Sequence, residues 1–414
     1  MMKVMIRAHG REIMRRGLIL VLVLVLPLSS LMAETLRFKY VKDEKYRLIT
    51  EVTEEVYVNG VRSHQANILN KVAVDTLAVR KKSGLLSATF ITSERSYGVQ
   101  TSFSLVEEYE SLFWRDEVGR YDIGEAYFMP VVRHVPTFPQ EEVTSGSSWS
   151  APGEEAHDLR RSFAIEKPVR FPMAVRYTYV GSERREGKKL EVILIQYEVQ
   201  HKLEGLVGRR AQVPVLIEGR SEQTYYWDNQ AGKPHSYSEE FDFVFYLSDG
   251  QTVEYIGSAE GLLLESEELD REQVAEDIAR ELKERGVEDT TVTAGEEGVT
   301  LNLQNIQFEA NSAALRESER AKLRQIGEIL KNYPDRDVLI TGHTARVPGY
   351  TESDHQRLSE QRALAVADYL LSQGALRAIQ VTTRGMGHRE PLSDNNTEQG
   401  RRQNRRVEIT ILEN

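Results

Sequence analysis

The nine histidines of the sequence are the first candidates for metal or acid–base chemistry. They are His9, His64, His134, His157, His201, His235, His343, His355 and His388. No two of them have the spacing of paired metal ligands on one helix or strand. The chain has no cysteine, which excludes thiolate metal sites, a cysteine nucleophile and a disulfide framework. We therefore predict no metal centre.

The motifs that support catalysis are also missing from the sequence. It has no Gly-x-Ser-x-Gly nucleophile elbow, no His-Glu-x-x-His zinc motif, no phosphate-binding loop and no dinucleotide glycine fingerprint. Carboxylate pairs are abundant among 64 acidic residues, so no single pair stands out as an acid–base couple. We predict a non-enzymatic protein without a cofactor.

Four arginines near the C-terminus are the strongest local concentration of positive charge: Arg401, Arg402, Arg405 and Arg406. One interpretation is a patch that binds an anionic polymer, and the other is structural pairing with nearby acids. Residues 300–414 carry 16 basic and 15 acidic side chains, a net charge of only +1, which favours structural pairing.

The charge of the whole chain is acidic, at −11 over 414 residues. This balance argues against nucleic acid as a partner. Residues 251–299 hold 15 acidic and 4 basic side chains, and we interpret this block as a solvated helix and linker. At 40% hydrophobic residues, the chain has enough apolar side chains for two or three domains with buried cores.

The first 33 residues have the pattern of an export signal. Five basic residues precede an apolar run at 18–26, and Ala33 offers a small residue at a cleavage point. The alternative, an uncleaved membrane anchor, requires about 20 apolar residues, roughly twice this run. We predict a cleaved signal peptide at 1–33, a periplasmic location in the cell envelope, and no transmembrane span in the mature chain.

Residues 34–265 have the two-residue periodicity of β-strands. Tyr46, Leu48, Val52 and Val56 alternate with polar residues, and Asn59-Gly60 follows as a hairpin turn. Similar runs recur with turn residues between them, which predicts an antiparallel sandwich or an open barrel.

A looser stretch at 136–153 leaves the number of β domains open. It contains three prolines and the cluster Thr-Ser-Gly-Ser-Ser at 144–148. Such a stretch is typical of a linker between two domains or of one long surface loop. Trp149 within it indicates that part of the segment packs.

Residues 266–297 are predicted to form an acidic connector of one helix and one short strand. The helix covers 270–285, where Val274, Ile278 and Leu282 fall four apart and Gly286 terminates the pattern. This connector could equally belong to the C-terminal domain.

Residues 298–414 alternate between strand and helix patterns. Strands are predicted at 301–308, 337–341, 381–384 and 407–412, with helices ending before Pro334 and covering 353–372. The order β-α-β-α-β-β predicts a mixed sheet with helices on one face, so the whole chain is an α+β multidomain protein.

This segment resembles the OmpA-like C-terminal domain, a peptidoglycan-associating module of envelope proteins. The resemblance rests on five motifs in order. They are Ile306-Gln-Phe-Glu-Ala-Asn-Ser-Ala313, Gly342-His-Thr344, Leu358-Ser-Glu-Gln-Arg-Ala-Leu-Ala-Val366, Gly385-Met-Gly387 and Gly400-Arg-Arg-Gln-Asn-Arg-Arg-Val-Glu408. Together they cover about 115 residues.

The resemblance implies a binding site for the diaminopimelate of the wall peptide. Family members hold it with an Asp directly after the Gly-His-Thr turn, which ends here at Thr344, and with the Arg of the Leu-Ser-x-x-Arg-Ala helix. A guanidinium and a carboxylate complement the carboxylates and ammonium of that ligand. The Arg is present as Arg362, but Ala345 replaces the Asp, and His355 stands where the family has Asn.

The candidate residues for binding the stem peptide are therefore Thr344, Glu352, Asp354, His355 and Arg362. Three interpretations of the altered site follow. Glu352 or Asp354 on the changed loop supplies the missing acid, or the host wall contains a different diamino acid, or the site no longer binds the wall. Arg362 itself could also pair with a nearby carboxylate. Loss of one partner of a charged ligand costs on the order of 1.5–3 kcal/mol.

From these observations we predict an exported envelope protein that associates with peptidoglycan, with the β-rich half holding envelope proteins as partners. The alternative is a protein–protein interaction module whose OmpA-like domain has lost peptidoglycan binding.

Overall fold

The structure is a computed structural model that describes residues 33–96, 102–205, 212–265, 269–304, 306, 308, 313–347 and 349–413. The predicted signal peptide at 1–33 lies outside this part of the chain, apart from its last residue. Within the described ranges, no helix combines the length and apolar character needed to cross a bilayer.

The described residues of the N-terminal half form twelve strands and one short helix. Its strands are β1 (Lys45–Val58), β2 (Val61–Arg80), β3 (Ser83–Ser96), β4 (Phe103–Arg115), β5 (Tyr121–Ile123), β6 (Val132–Arg133), β7 (Ser148–His157), β8 (Val169–Arg185), β9 (Lys188–Lys202), β10 (Pro214–Asp228), β11 (Lys233–Leu247) and β12 (Thr252–Glu265). Helix α1 (Arg160–Phe163) interrupts them between β7 and β8. The β-rich character that the sequence predicts is confirmed.

Tight hairpins explain how these long strands follow one another. Asn59 and Gly60 have φ of 52° and 74°, the left-handed conformation that a two-residue hairpin requires. The strands they join, β1 and β2, then pair antiparallel from Lys45 with Asp75 to Val58 with Val61. The predicted hairpin is therefore present.

All twelve strands form one antiparallel sheet in the order β5-β4-β3-β2-β1-β12-β11-β10-β9-β8-β7-β6. The first and last long strands, β1 and β12, meet at its centre. In the described residues, β5 and β6 are the two ends and do not pair with each other. These pairings confirm neither a two-sheet sandwich nor a closed barrel.

The stretch at 136–153 packs against this sheet. Trp149 donates a hydrogen bond from Nε1 to the Thr137 carbonyl at 2.8 Å and stacks on Tyr177. Phe138 lies edge-on to the fully buried Trp227. The prediction that part of this segment packs is confirmed.

The C-terminal region is built from a mixed sheet and four helices. Its elements are α2 (Arg271–Glu284), β13 (Thr290–Gly295), β14 (Gly298–Gln304), α3 (Glu317–Leu330), β15 (Val338–Gly342), α4 (Glu352–Ser372), β16 (Val381–Gly385), α5 (Glu398–Asn404) and β17 (Arg406–Leu412), with a 3-10 turn at Ala378–Gln380. The sheet order is β13-β14-β17-β15-β16, in which β15 and β16 are parallel and the other pairs antiparallel.

Three details differ from the sequence predictions. Within the described residues, strand β14 ends at Gln304 and Phe308 forms an isolated bridge with Leu315, whereas positions 305 and 307 of the predicted strand lie outside them. Helix α5 was not predicted. The acidic connector does not stand apart, because β13 pairs with β14 and Ile278 of α2 is fully buried in the C-terminal core.

The two halves meet along a polar seam. Arg47 and Lys71 contact the carboxylate of Asp337 at 2.7 and 3.1 Å, and all three side chains are less than 10% exposed. Strand β16 also pairs in parallel with β4 through two residues, Thr382 with Phe103 and Thr383 with Ser104. The halves are therefore joined by buried charges as well as by backbone pairing.

Candidate functional site

The turn after β15 lies against the N-terminal half of α4 because Gly342 has no side chain. A Cβ placed on Gly342 would lie 2.1 Å from the carbonyl oxygen of Ser359. The Ser359 hydroxyl also accepts a hydrogen bond from the Gly387 N–H at 2.9 Å. The Gly-His-Thr, Leu-Ser and Gly-Met-Gly motifs therefore meet at this point, and each contributes to positioning the helix.

Helix α4 begins with a capping box. The Thr351 N–H donates to Asp354 Oδ2 at 3.0 Å, and the Asp354 N–H donates to the Thr351 hydroxyl at 3.1 Å. Arg357 donates to the other oxygen, Oδ1, at 2.8 Å. Hydrogen bonds from Thr351 hold the pKa of Asp354 below its usual value. Both oxygens of this candidate acid are thus engaged at the helix start.

His355 is the next candidate and lies buried beneath the turn, with 2% of its surface exposed. Its Nδ1 is 3.1 Å from the Thr344 hydroxyl, and its Nε2 accepts the Val347 N–H at 3.5 Å. This acceptor role for Nε2 assigns the ring proton to Nδ1, which then donates to Thr344. Burial, followed by the neighbouring His388, lowers the pKa of His355. The neutral ring braces the turn.

Glu352 lies at the outer side of the same cluster. Its carboxylate is 3.4 Å from His388 Nε2 and 3.9 Å from Arg389 Nη1. The His388 ring in turn meets the His355 ring edge-on at 4.7 Å between centroids. Glu352 therefore contacts His388, which in turn contacts His355.

Arg362 lies about two turns after His355 on α4, with its guanidinium carbon 4.9 Å from the centre of the Phe308 ring. Its Nε is buried without a hydrogen-bond partner. Across the described ranges, no carboxylate pairs with this side chain. Burial, with a smaller contribution from the positive charge of Arg405, lowers the pKa of Arg362 to about 10. Among the described residues, the predicted binding arginine therefore has no counter-charge.

Ala345, at the position of the family Asp, is 2% exposed. The backbone beside it is fixed by polar contacts, since the Arg346 N–H donates to Asn395 Oδ1 at 3.0 Å. That same oxygen accepts from Asn404 Nδ2 at 3.0 Å. A methyl group thus occupies a well-defined position in the turn and contributes no charge.

The arginines at 401–406 are largely paired with acidic side chains. Arg401 and Arg405 contact Glu398 at 2.8 Å and Arg402 does so at 3.7 Å. Arg406 is 3% exposed and donates to Glu408 at 2.7 Å. The structural pairing favoured from the sequence is confirmed. Three guanidinium groups nevertheless share one carboxylate, so this side of the site stays positive.

The five candidate residues therefore divide into two groups. Thr344, His355, Glu352 and Asp354 lie around the turn and the start of α4, whereas Arg362 shares no hydrogen bond or ion pair with them in the described residues. Sequence reasoning missed the role of His388, which the nearby Gly-Met-Gly motif could have signalled. Among the described residues, no group of three or more His, Asp or Glu side chains could hold a metal ion.

Comparisons with known proteins agree with the motifs. Residues 307–405 match the model of the OmpA family. The probable lipoprotein YiaD of Escherichia coli is 37% identical over 122 residues, which cover 29% of this chain and 54% of that protein. The peptidoglycan-binding protein ArfA of Mycobacterium tuberculosis is 37% identical over 106 residues, covering 26% of this chain and 32% of that protein.

A solved structure, the cell wall anchor of the T6SS from Pseudomonas aeruginosa, is 30% identical and covers 33% of this chain and 96% of that one, with a TM-score of 0.29. The chain spans about half or less of the length of the two curated relatives named above. The resemblance of the C-terminal region to the OmpA family is confirmed.

Proposed function

We propose that this chain is a non-enzymatic protein of the cell envelope whose C-terminal region associates with peptidoglycan through Arg362. The observation that carries the proposal is the guanidinium of Arg362, held over Phe308 with a buried, unpaired Nε and no carboxylate partner among the described residues. Buried charges are normally paired, so an unpaired one indicates a ligand of opposite charge. One matched relative is named a peptidoglycan-binding protein, which supports this choice of ligand.

The ligand group that Arg362 fits is a carboxylate of the wall peptide. A guanidinium binds a carboxylate through two parallel hydrogen bonds, and the positive charge of Arg405 nearby strengthens the attraction. Ala345 offers no acid to an ammonium group. We infer a site that recognises the carboxylate of the peptide and has given up the ammonium contact.

Neither candidate replacement acid fits the missing role well. Asp354 is engaged by Thr351 and Arg357, and Glu352 by His388. This favours a site without a substitute carboxylate.

The remaining parts of the chain fit an exported protein. We propose that residues 1–33 are a cleaved signal peptide and that the protein acts in the periplasm. Residues 34–265 would hold envelope proteins as partners, and 298–414 would bind the wall. Residues 266–297 would connect the halves while packing on the C-terminal core. The buried contacts of Asp337 with Arg47 and Lys71 support a firm link between these regions.

The test is co-sedimentation of the chain from residue 34 to 414 with purified peptidoglycan of its own organism. We expect the wild type to pellet and Arg362→Ala to remain in solution. Arg357→Ala is the matched control, because Arg357 lies on the same helix but is exposed and pairs with Asp354. Equal retention of the wild type and Arg362→Ala would contradict the proposal.

The second candidate function is a protein–protein interaction module that has lost wall binding. Ala345 favours this candidate, because the family site uses an Asp and an Arg and this chain lacks the Asp. The variant Ala345→Asp separates the two candidates. If only this variant pellets, the wild-type region has kept the fold without the ligand, and its partners are proteins.

A further inference from the structure

A cavity of about 270 Å³, partly open to solvent, lies against the N-terminal sheet. One wall is formed by alternate residues of β1 to β4, such as Leu48, Val72, Ala88 and Phe113. Strands β10 and β11 form the opposite wall, and the segment at 130–136 closes one side. Because alternate residues of a strand share one face, the apolar side chains of these strands line the space together.

That closing segment is itself firmly held. Arg133 is fully buried and donates hydrogen bonds to the carbonyls of Tyr127 at 2.6 Å and Pro130 at 3.1 Å. Its Nη1 also contacts Glu154 at 3.2 Å. The cavity is therefore bounded by ordered structure on three sides.

Arg115 extends into this apolar space from the end of β4. Its Nε donates to the Tyr40 hydroxyl at 2.9 Å and its Nη2 to the Tyr46 hydroxyl at 3.2 Å. The guanidinium carbon is 4.1 Å from the centre of the Phe38 ring. Its Nη1 makes no hydrogen bond to any described residue, and the side chain keeps part of its surface accessible.

Three other buried cations of the chain each have a carboxylate partner. Arg47 contacts Asp337, Arg133 contacts Glu154, and Arg406 contacts Glu408. In the described ranges, Arg115 has phenols and rings around it but no carboxylate. An interior guanidinium without a counter-charge is costly, and a bound anion would remove that cost.

Some of the other polar groups of the cavity have partners. Glu239 accepts hydrogen bonds from Ser221 at 2.6 Å and from Gln223 at 3.2 Å. The Tyr237 and Thr50 hydroxyls are 2.9 Å apart. The hydroxyls of Tyr121 and Tyr225, which also line the cavity, make no hydrogen bond to a described residue. At the Arg115 end, the Tyr46 hydroxyl accepts from the arginine and keeps its own proton to donate.

We propose that this cavity binds a small monocarboxylate with an apolar body, its carboxylate on Arg115 and Tyr46 and its body among the side chains of β1 to β4. The volume is just below the range of about 300–1,000 Å³ typical of small-molecule pockets, so the ligand is a short aliphatic or aromatic acid. This site is separate from the proposed wall-binding site and does not depend on it.

The probe is octanoate, titrated into the purified chain from residue 34 to 414 by isothermal calorimetry. Octan-1-ol and octylamine are the comparison ligands, because they keep the apolar body and replace the negative charge. We expect saturable binding of octanoate and at least tenfold weaker binding of octanol, since a charge-assisted hydrogen bond is lost. No measurable binding is expected for octylamine. Absence of saturable octanoate binding, or equal binding of octanol, would overturn the proposal.

Two variants locate the site. Arg115→Gln should weaken octanoate binding at least tenfold, whereas Arg120→Gln, an exposed arginine in the following turn, should leave it unchanged. Ala88→Leu fills the cavity while keeping Arg115, and should also weaken binding. Thr89→Leu places the same side chain on the opposite face of β3 as the control.

The cavity-filling variant keeps the proposal testable if Arg115→Gln fails to fold, as judged by circular dichroism. Octanoate binding that is unchanged in Ala88→Leu would place the ligand outside the cavity and refute the proposal. Unchanged binding in a folded Arg115→Gln would refute it as well.

Discussion

Arg47 of β1 donates a 2.7 Å hydrogen bond to Asp337, which lies 290 residues later at the start of β15. Lys71 of the neighbouring strand contacts the other oxygen of the same carboxylate at 3.1 Å. Burial lowers the pKa of both Arg47 and Lys71, and the charge of Asp337 opposes this shift. One buried acid of the C-terminal region is therefore shared as counter-charge by two cations of the N-terminal sheet.

Replacement of this acid by Asp337→Asn should destabilise the protein by about 3–5 kcal/mol, because two buried cations would lose their counter-charge. Urea unfolding followed by tryptophan fluorescence and circular dichroism measures the change. Glu413→Gln, which breaks the more exposed contacts with Lys45 and Arg271, is the control and should have a much smaller effect. Equal losses of unfolding free energy in the two variants would show that the burial of Asp337 does not increase its contribution to stability.

Burial also makes His355 sensitive to pH. Burial, with a contribution from His388, lowers the pKa of His355 below its ordinary 6.5, so the folded state favours the neutral ring. The stability contributed in this way is present above pH 6.5 and is lost as the pH falls through the lowered pKa. We expect His355→Asn to remove this loss, so that its unfolding free energy changes less between pH 7 and pH 5 than that of the wild type.

The measurement is urea unfolding at several pH values in that interval. His64→Asn is the matched control, since His64 is exposed on β2. If His355→Asn and the wild type lose stability in parallel, His355 is not the group that titrates.

Much of the C-terminal region was predictable because its signals are local. The apolar stripe of Leu323, Ile326 and Leu330 marks α3, and Gly286 and Gly374 have the positive φ expected after a helix end. Helix α5 was missed because its seven residues carry no apolar stripe, and only the Thr397 cap, which accepts the Gly400 N–H, marks its start.

The single N-terminal sheet was harder to predict, for a physical reason. Strand β1 pairs with β12 along their whole length, from Tyr46 with Glu265 to Val58 with Val253. Alternation within each strand reveals which side chains share a face, but it does not identify a partner some 200 residues away.

The residues of the candidate site were likewise predictable from the sequence, whereas their contacts with distant elements were not. Arg362 and Ala345 were found because each occupies a fixed position in a sequence motif. The contacts of Arg362 with Phe308 and of His355 with His388 join different elements, and no spacing rule predicts them.

Glu408 on β17 should dominate the response of the C-terminal region to acid. Burial alone would raise its pKa, but the 3.4 Å contact with His343 and the hydrogen bond from Arg406 hold the pKa of Glu408 at about 2. Because the folded pKa is depressed, its stabilisation is present above the unfolded pKa near 4.5 and is lost as the pH falls toward 2.

We expect Glu408→Gln to lose about 1–2 kcal/mol at pH 7, a value reduced for the part of the side chain that water screens. The difference from the wild type should shrink as the pH falls from 4.5 to 2, measured by urea unfolding. Glu390→Gln, an exposed glutamate of the same region, should show neither effect. A difference that is constant over this pH range would exclude Glu408 as the titrating group.

We predict that Arg362 makes the folded protein less stable than an uncharged side chain at the same position would. In the described part of the chain its Nε is buried without a hydrogen-bond partner and its charge has no carboxylate partner. Arg362→Met should therefore raise the free energy of unfolding by about 1 kcal/mol while keeping contact with the Phe308 ring. The same variant should lose retention on peptidoglycan. Arg357→Met removes an exposed, paired arginine of the same helix and should not stabilise the protein. A fall in the stability of Arg362→Met would show that the arginine serves the fold, and the case for Arg362 as a binding residue would then rest on sedimentation alone.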